Sequence, residues 1–297
     1  MNKKIWGNIS LLITSVIWGS AFVAQVTGMD VLGPFTFNAA RSFVAVISLG
    51  ILVLILKDSM NTKFSDLLKG GLACGFFIFI GSSLQQVGLI YTTAGKASFI
   101  TSLYILIVPL LALIIMKNKV NILTWIAIIV GAVGLYLLAI PNGASFSVNN
   151  GDFIVFIGAF FWAAHILVID YFTKKVDAVK LSFMQFTVMT ILCSIVALIF
   201  ERETASFSNI IFSWKSIAYA GFFSSCIAYT LQMVGQKYTN PVLASLILSL
   251  ESVFGALSGY LILNEILSTK EFIGCVIVFL AIILAQVPSD FFKTKKI

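Results

Sequence analysis

The stretch LQQVGLIYTTAGKASFITSL (residues 84–103) returns 147 residues later as LQMVGQKYTNPVLASLILSL (residues 231–250), and the two agree at 11 of 20 positions. Apolar bias alone would pair leucine with leucine. It would not pair Gln85 with Gln232, Gly88 with Gly235, Tyr91 with Tyr238 and Thr92 with Thr239. A weaker echo surrounds two tryptophans: SVIWGSAFV (residues 15–23) holds Trp18, and AFFWAAHIL (residues 159–167) holds Trp162. A chain that writes one pattern twice is built from two copies of one unit, here residues 1–140 and 141–297.

Composition fixes the solvent of those units. Sixty per cent of residues are hydrophobic and 10% charged, with a mean hydropathy of +1.05, which is far from the balance of a water-soluble chain. About 20 apolar residues cross a bilayer as a helix. Ten such runs stand between clusters of charge, Pro, Gly or Asn: residues 6–28, 34–56, 67–90, 94–116, 121–140, 151–173, 179–200, 214–236, 241–263 and 270–288. Runs this long and this uniformly apolar satisfy their backbone hydrogen bonds internally, as helices, whereas barrel strands alternate in polarity. The expected class is all-α: a polytopic membrane protein of ten transmembrane helices. The basic start MNKK resembles a signal peptide, but the apolar run behind it is long, contains Trp18 and Gln25 and has an internal counterpart, so it is read as the first span.

Five spans per copy is an odd number. The second copy must therefore enter the membrane from the opposite face, which makes the repeats inverted. Charge agrees. The loop after the fourth span carries Lys117 and Lys119, whereas its counterpart after the ninth has Glu265 and Glu271 beside Lys270; likewise Lys57, Lys63 and Lys69 correspond to Glu201, Arg202 and Glu203. With both termini cytoplasmic, 14 of the 19 Lys and Arg residues fall inside, as the positive-inside rule requires for a plasma-membrane protein. The net charge of +7 is then a matter of topology, and no nucleic-acid partner is expected. Cys74, Cys193, Cys226 and Cys275 all lie within spans and at no metal-ligand spacing, so packing is their expected role and neither metal nor cofactor is anticipated.

Inverted repeats are the architecture of secondary transporters, where a midplane site between the halves opens to each side in turn. The residues also resemble a family. VIWGSAF in the first span, the Tyr91-Thr92 … Ala97-Ser98 passage with its copy Tyr238-Thr239 … Ala244-Ser245, and LSLES … LILNE in the ninth span resemble the EamA-type transporters of the drug/metabolite transporter superfamily. That resemblance covers nearly the whole chain and implies ten helices and the export, or in some members import, of amino acids, metabolites or cationic drugs. The family often has Pro after the glutamate of the ninth helix; here Ser252 follows Glu251, and a helix without that Pro is expected to run straighter.

Candidate site residues are the polar and aromatic groups at membrane depth. Glu251 is the acidic residue nearest the centre of a span, where a charge costs at least about 2.5–3.5 kcal/mol. It serves either as a proton site or counter-charge for a cationic substrate group, or as a helix-packing contact satisfied by Ser, Thr or Arg41. Tyr104 occupies its repeat-equivalent position in the fourth span, 147 residues earlier. Trp18 and Trp162 form an equivalent pair away from the interfacial belts where Trp collects, suited to stacking and cation–π contact or to filling the bundle. Gln85 and Gln232 are equivalent amides that line the path or lock helices. His165 lies one turn from Trp162 on the same face, as a proton relay or a hydrogen-bonded structural residue. Arg41 is within snorkelling reach of the outer surface; snorkelling or a structural pair with an acidic side chain is favoured over carboxylate binding. Gly71-x3-Gly75 and Gly255-x3-Gly259 are close-packing motifs.

The leading function is therefore a secondary transporter of small organic solutes working by alternating access, exporting amino acids or related metabolites, with proton coupling through Glu251 or His165. The alternative is an importer or facilitator of cationic or aromatic molecules of choline- or drug-like kind. A multipass intramembrane enzyme is the third class, and the sequence has no HExxH, GxSxG or nucleotide loop and one histidine. The partners implied are a small-molecule substrate and the lipid bilayer; oligomeric state leaves no mark in the sequence.

Overall fold

The computed structural model describes residues 3–56, 61–115, 117, 120–139, 149–263 and 268–287. The junction at 140/141, Lys57, Asn118, Lys119, Glu265 and residues 288–297, which carry part of the charge pattern, lie outside the described residues. Within them the chain forms ten apolar membrane helices and no strand: α1 (Lys3–Gly28), α2 (Pro34–Ile55), α3 (Phe64–Gly88), α4 (Ala94–Ile115), α5 (Ile122–Ala139), α6 (Asn150–Phe172), α7 (Ala178–Phe200), α8 (Trp214–Gln236), α9 (Pro241–Leu248 followed by Leu250–Leu263) and α10 (Thr269–Gln286). A short helix, Phe207–Phe212, precedes α8 and was not foreseen, because six residues are too few for a periodic signal.

Burial runs opposite to that of a soluble protein. Leu54, Ile114, Leu198 and Leu261 are exposed, while Arg41, Gln86, His165 and Glu251 are buried. Hydrocarbon offers no hydrogen bonds, so polar groups turn inward and apolar ones outward. The most extensive helix contacts, α5 with α10, α3 with α6 and with α7, α2 with α7 and α1 with α9, all join one half to the other.

The inverted relation reappears as matched contacts at the two ends of the bundle. Thr92, in the α3–α4 turn, donates to Asp152 at the start of α6, and Lys96 pairs with the same carboxylate at 3.2 Å. At the other end Thr239, in the α8–α9 turn, donates to Asn8 Oδ1 at the start of α1, at 3.0 Å. Thr92 and Thr239 are 147 positions apart, and Asn8 and Asp152 stand at the offset that pairs Trp18 with Trp162. A further clasp across the halves closes α2: the Glu201 carboxylate accepts from Phe35 N at 3.0 Å, Thr36 N at 2.7 Å and Thr36 Oγ1 at 2.7 Å, satisfying amide donors that every helix N-terminus leaves orphaned.

Two helices are interrupted at their midpoints. α4 breaks at Leu103 into Ala94–Ser102 and Tyr104–Ile115, and α9 breaks at Ser249. α9, without Pro after Glu251, carries the same one-residue interruption as α4. Each break is one tightened turn, with Leu106 N bonded to Leu103 O and Ser252 N to Ser249 O. In α9 serine hydroxyls take the backbone acceptors instead: Ser245 Oγ bonds Val242 O and Ser249 Oγ bonds Leu246 O, both at 2.8 Å. Such back-bonding by Ser bends helices without Pro.

α1 and α9 approach closely where Gly19 meets Gly255. A Cβ on Gly19 would lie 2.6 Å from Gly255 N and 2.7 Å from Glu251 O, whereas one on Gly255 would find its nearest neighbour at an ordinary 3.6 Å. Gly19→Ala is therefore expected to destabilise the bundle by about 1–3 kcal/mol and Gly255→Ala to be tolerated. Thermal unfolding of the two purified variants in detergent checks this; equal stability would refute the close approach.

Candidate functional site

The halves meet around a narrow central cleft of about 30 Å³. All six residues singled out from the sequence as substrate-binding candidates line it: Trp18, Gln85 and Tyr104 from the first half, and Trp162, Gln232 and Glu251 from the second. Two of them meet just after the breaks in α4 and α9. Tyr104, the first residue after one break, donates to Glu251 Oε1 at 3.1 Å. Ser102 Oγ lies 3.4 Å from the same oxygen and 2.7 Å from Ser252 Oγ, which in turn lies 2.9 Å from Ser98 O, so two hydroxyl protons are shared among three contacts. The carboxyl group is 5% exposed, its supports are neutral, and it forms no ion pair among the described residues.

One wall is aromatic. Tyr229 sits at its centre, 4.6 Å from the Trp18 ring, 6.3 Å from Trp162 in a stacked arrangement and 5.2 Å edge-on from Phe186. Trp18 Nε1 donates to Ser224 O at 3.3 Å, a carbonyl in the stretch Tyr219–Ala228 where α8 widens into π-helical turns; such turns recur at functional sites. Trp162 Nε1 is buried without a partner. His165 does not line the cleft. It stands behind the wall, fully buried, 5.9 Å from Trp162 and 6.0 Å from Tyr229, with Nε2 at 3.0 Å from Gln185 Oε1. Gln85 does both things open to it, lining the cleft and donating to Thr101 Oγ1 at 2.9 Å across α3 and α4. Among the described residues no group of three or more His, Cys, Asp or Glu is placed to hold a metal.

Sequence reasoning missed Tyr229, Gln25 and the place of Arg41. Tyr229 has Ser82 as its repeat equivalent, 147 residues earlier, so symmetry gave no signal for it. Arg41 does not snorkel and has no acidic partner among the described residues. It is 4% exposed, lines the cleft and bonds Asn38 Oδ1 at 2.8 Å and Ser82 Oγ at 2.5 Å. Asn38 and Ser82 hold the guanidinium at depth, where the path to water through α2 would cost those two bonds.

The EamA-like transporter family matches this chain twice, over residues 5–140 and 149–286. A protein of Archaeoglobus fulgidus named as an uncharacterized transporter is 30% identical over 96% of this chain and 87% of its own. The Bacillus subtilis protein YyaM, named likewise, is 28% identical over 94% of this chain and 92% of its own. One solved crystal structure, 15% identical, superposes over 93% of this chain and 95% of that one with a TM-score of 0.75, which is the same fold.

A double-mutant cycle tests the central contact. Tyr104→Phe keeps the ring but removes a donor from a buried carboxyl, and is expected to cost about 1–3 kcal/mol. Combined with Glu251→Gln, the two effects are expected to miss additivity by about 0.5 kcal/mol or more, read as unfolding free energy in detergent. Strict additivity would mean that the bond does not form.

Proposed function

The chain belongs to the EamA-like transporter family, and on that premise we propose that it is a secondary transporter of small organic solutes that works by alternating access, exporting amino acids or related metabolites. The observation that carries this reading is the cleft itself, built by equivalent residues of two inverted halves and pinned at both ends by the matched Thr92–Asp152 and Thr239–Asn8 contacts. Breaking one pin while keeping the other opens the cleft to one side only, and the inverted repeat supplies the mirror step.

Glu251 is the ionisable centre of the cycle. Its neutral surroundings, Tyr104 and Ser102, stabilise either a carboxylate or a proton-bearing acid, so the group exchanges a proton or a cationic substrate group as its access to water changes. His165, fixed by Gln185 behind Trp162, positions the aromatic wall. The aromatic wall beside an acid also supports the second reading, an importer or facilitator of cationic or aromatic molecules, through cation–π contact.

Flux through proteoliposomes separates these readings. The wild-type protein is expected to move its solute saturably and to respond to an imposed pH gradient, while Glu251→Gln folds but gives rates indifferent to the gradient. An unchanged pH response in that variant would leave Glu251 a structural contact, and linear flux would make the protein a channel.

The reading places the protein in the plasma membrane with both termini in the cytoplasm, on the distribution of Lys and Arg. In a background lacking Cys74, Cys193, Cys226 and Cys275, all buried and free, Phe64→Cys is expected to react with a membrane-impermeant thiol reagent from the cytoplasmic side and Ser206→Cys from outside. The reverse pattern would invert the topology.

A further inference from the structure

We propose that Arg41 is a carboxylate anchor and that the solute carried is a zwitterion, its carboxylate held by Arg41 and its ammonium group by Glu251. The proposal rests on the transporter reading above and narrows its substrate class.

The first observation is an uncompensated charge. A guanidinium carries five N–H donors and stays charged, and in hydrocarbon surroundings it needs an anion or water. Arg41 lies seven residues in from Pro34, about 10 Å at the helical rise. Its Nε and one Nη are occupied by Asn38 and Ser82, both neutral. The described ion pairs, Lys96–Asp152 and Lys174–Asp170, involve other residues. Asn38 and Ser82 thus fix the fork without spending its charge, and the side chain faces the cleft.

The second observation is the set of polar atoms that the cleft leaves unmatched. Trp162 Nε1, a donor, and Gln25 Oε1 and Gln232 Oε1, acceptors, are buried without partners, on side chains at least nine-tenths buried. Buried polar groups are almost always paired, so the guest that completes this cleft both accepts and donates. A zwitterion supplies both, its carboxylate meeting the guanidinium of Arg41 and its ammonium group the carboxylate of Glu251.

Arg41 and Glu251 line the cleft from opposite halves, beside the Trp18, Tyr229 and Trp162 rings, so one guest can meet a cation, an acid and an aromatic wall. The site also has a direction. At the offset pairing Trp18 with Trp162, the second half places Gln185 opposite Arg41, and Gln185 is bonded to His165, so the cleft offers one cationic anchor and the carboxylate end points one way.

The test uses the purified full chain and the twenty protein L-amino acids, each beside its own carboxamide, which keeps the ammonium group and removes the carboxylate. Binding is read as thermal stabilisation and flux in proteoliposomes. At least one amino acid is expected to bind, with its carboxamide needing about tenfold or more higher concentration. In Arg41→Gln the amino acid is expected to fall to the level of its carboxamide, whose own binding changes little, and Arg41→Lys to recover part of the preference. Because the ratio of the two ligands is taken within one preparation, partial misfolding of a variant does not affect it. The proposal is overturned if no amino acid binds, if wild type does not prefer the carboxylate, or if Arg41→Gln weakens both ligands alike. Saturable flux of a solute without carboxylate preference would overturn the anchor and leave the transporter standing; Arg41-dependent binding without flux would support the anchor and count against transport.

Discussion

The hydrogen bond from Tyr104 Oη to Glu251 Oε1, 3.1 Å long, joins the two halves at the middle of the bundle. A carboxyl group this deep is tolerated only where donors meet it or a cavity reaches it, and the fold provides both. Tyr104 and Glu251 stand one and two residues after the breaks at Leu103 and Ser249, and Ser245, Ser249 and Ser252 bond the carbonyls of Val242, Leu246 and Ser98. The close approach of Gly19 to Gly255 brings α1 against α9, so that Trp18 and Glu251 share one cleft.

Symmetry and its failure have separate roles. The matched contacts at the bundle ends follow from the repeat, since Thr92 and Thr239 occupy equivalent turns and each meets the start of the first helix of the other half. Yet one is a charged cluster with Lys96 and the other a neutral Asn–Thr pair, so the two ends differ in strength and in their response to salt. The cleft departs further from symmetry. Tyr229 faces Ser82 in register, Arg41 faces Gln185, and the π-helical turns of Tyr219–Ala228 have an ordinary α-helical counterpart in α3. Widened turns leave carbonyls out of line with their usual partners, and Ser224 O and Ala228 O accept from Trp18 Nε1 and Thr14 Oγ1 of α1. The asymmetric residues are the ones that give the cleft its aromatic wall and its cation.

The sequence by itself determined the ten helices, to within about three residues at every described end, and the inverted pairing of the halves. Both are consequences of local facts: an apolar run long enough to cross hydrocarbon must be helical, and an odd number of crossings must turn the second copy over. It also named Trp18, Gln85, Tyr104, Trp162, Gln232 and Glu251, because polar and aromatic residues at membrane depth that recur in register stand out against an apolar background. Only the tertiary structure decided what those residues meet. That Glu251 is bonded to Tyr104, that His165 stands behind the aromatic wall, that Tyr229 is its centre and that Arg41 is turned inward to Asn38 and Ser82 all depend on where separate helices lie against one another. A residue's depth in the bilayer is set by counting along its own helix; which way its side chain faces, and what faces it, is set by packing between helices remote in the chain.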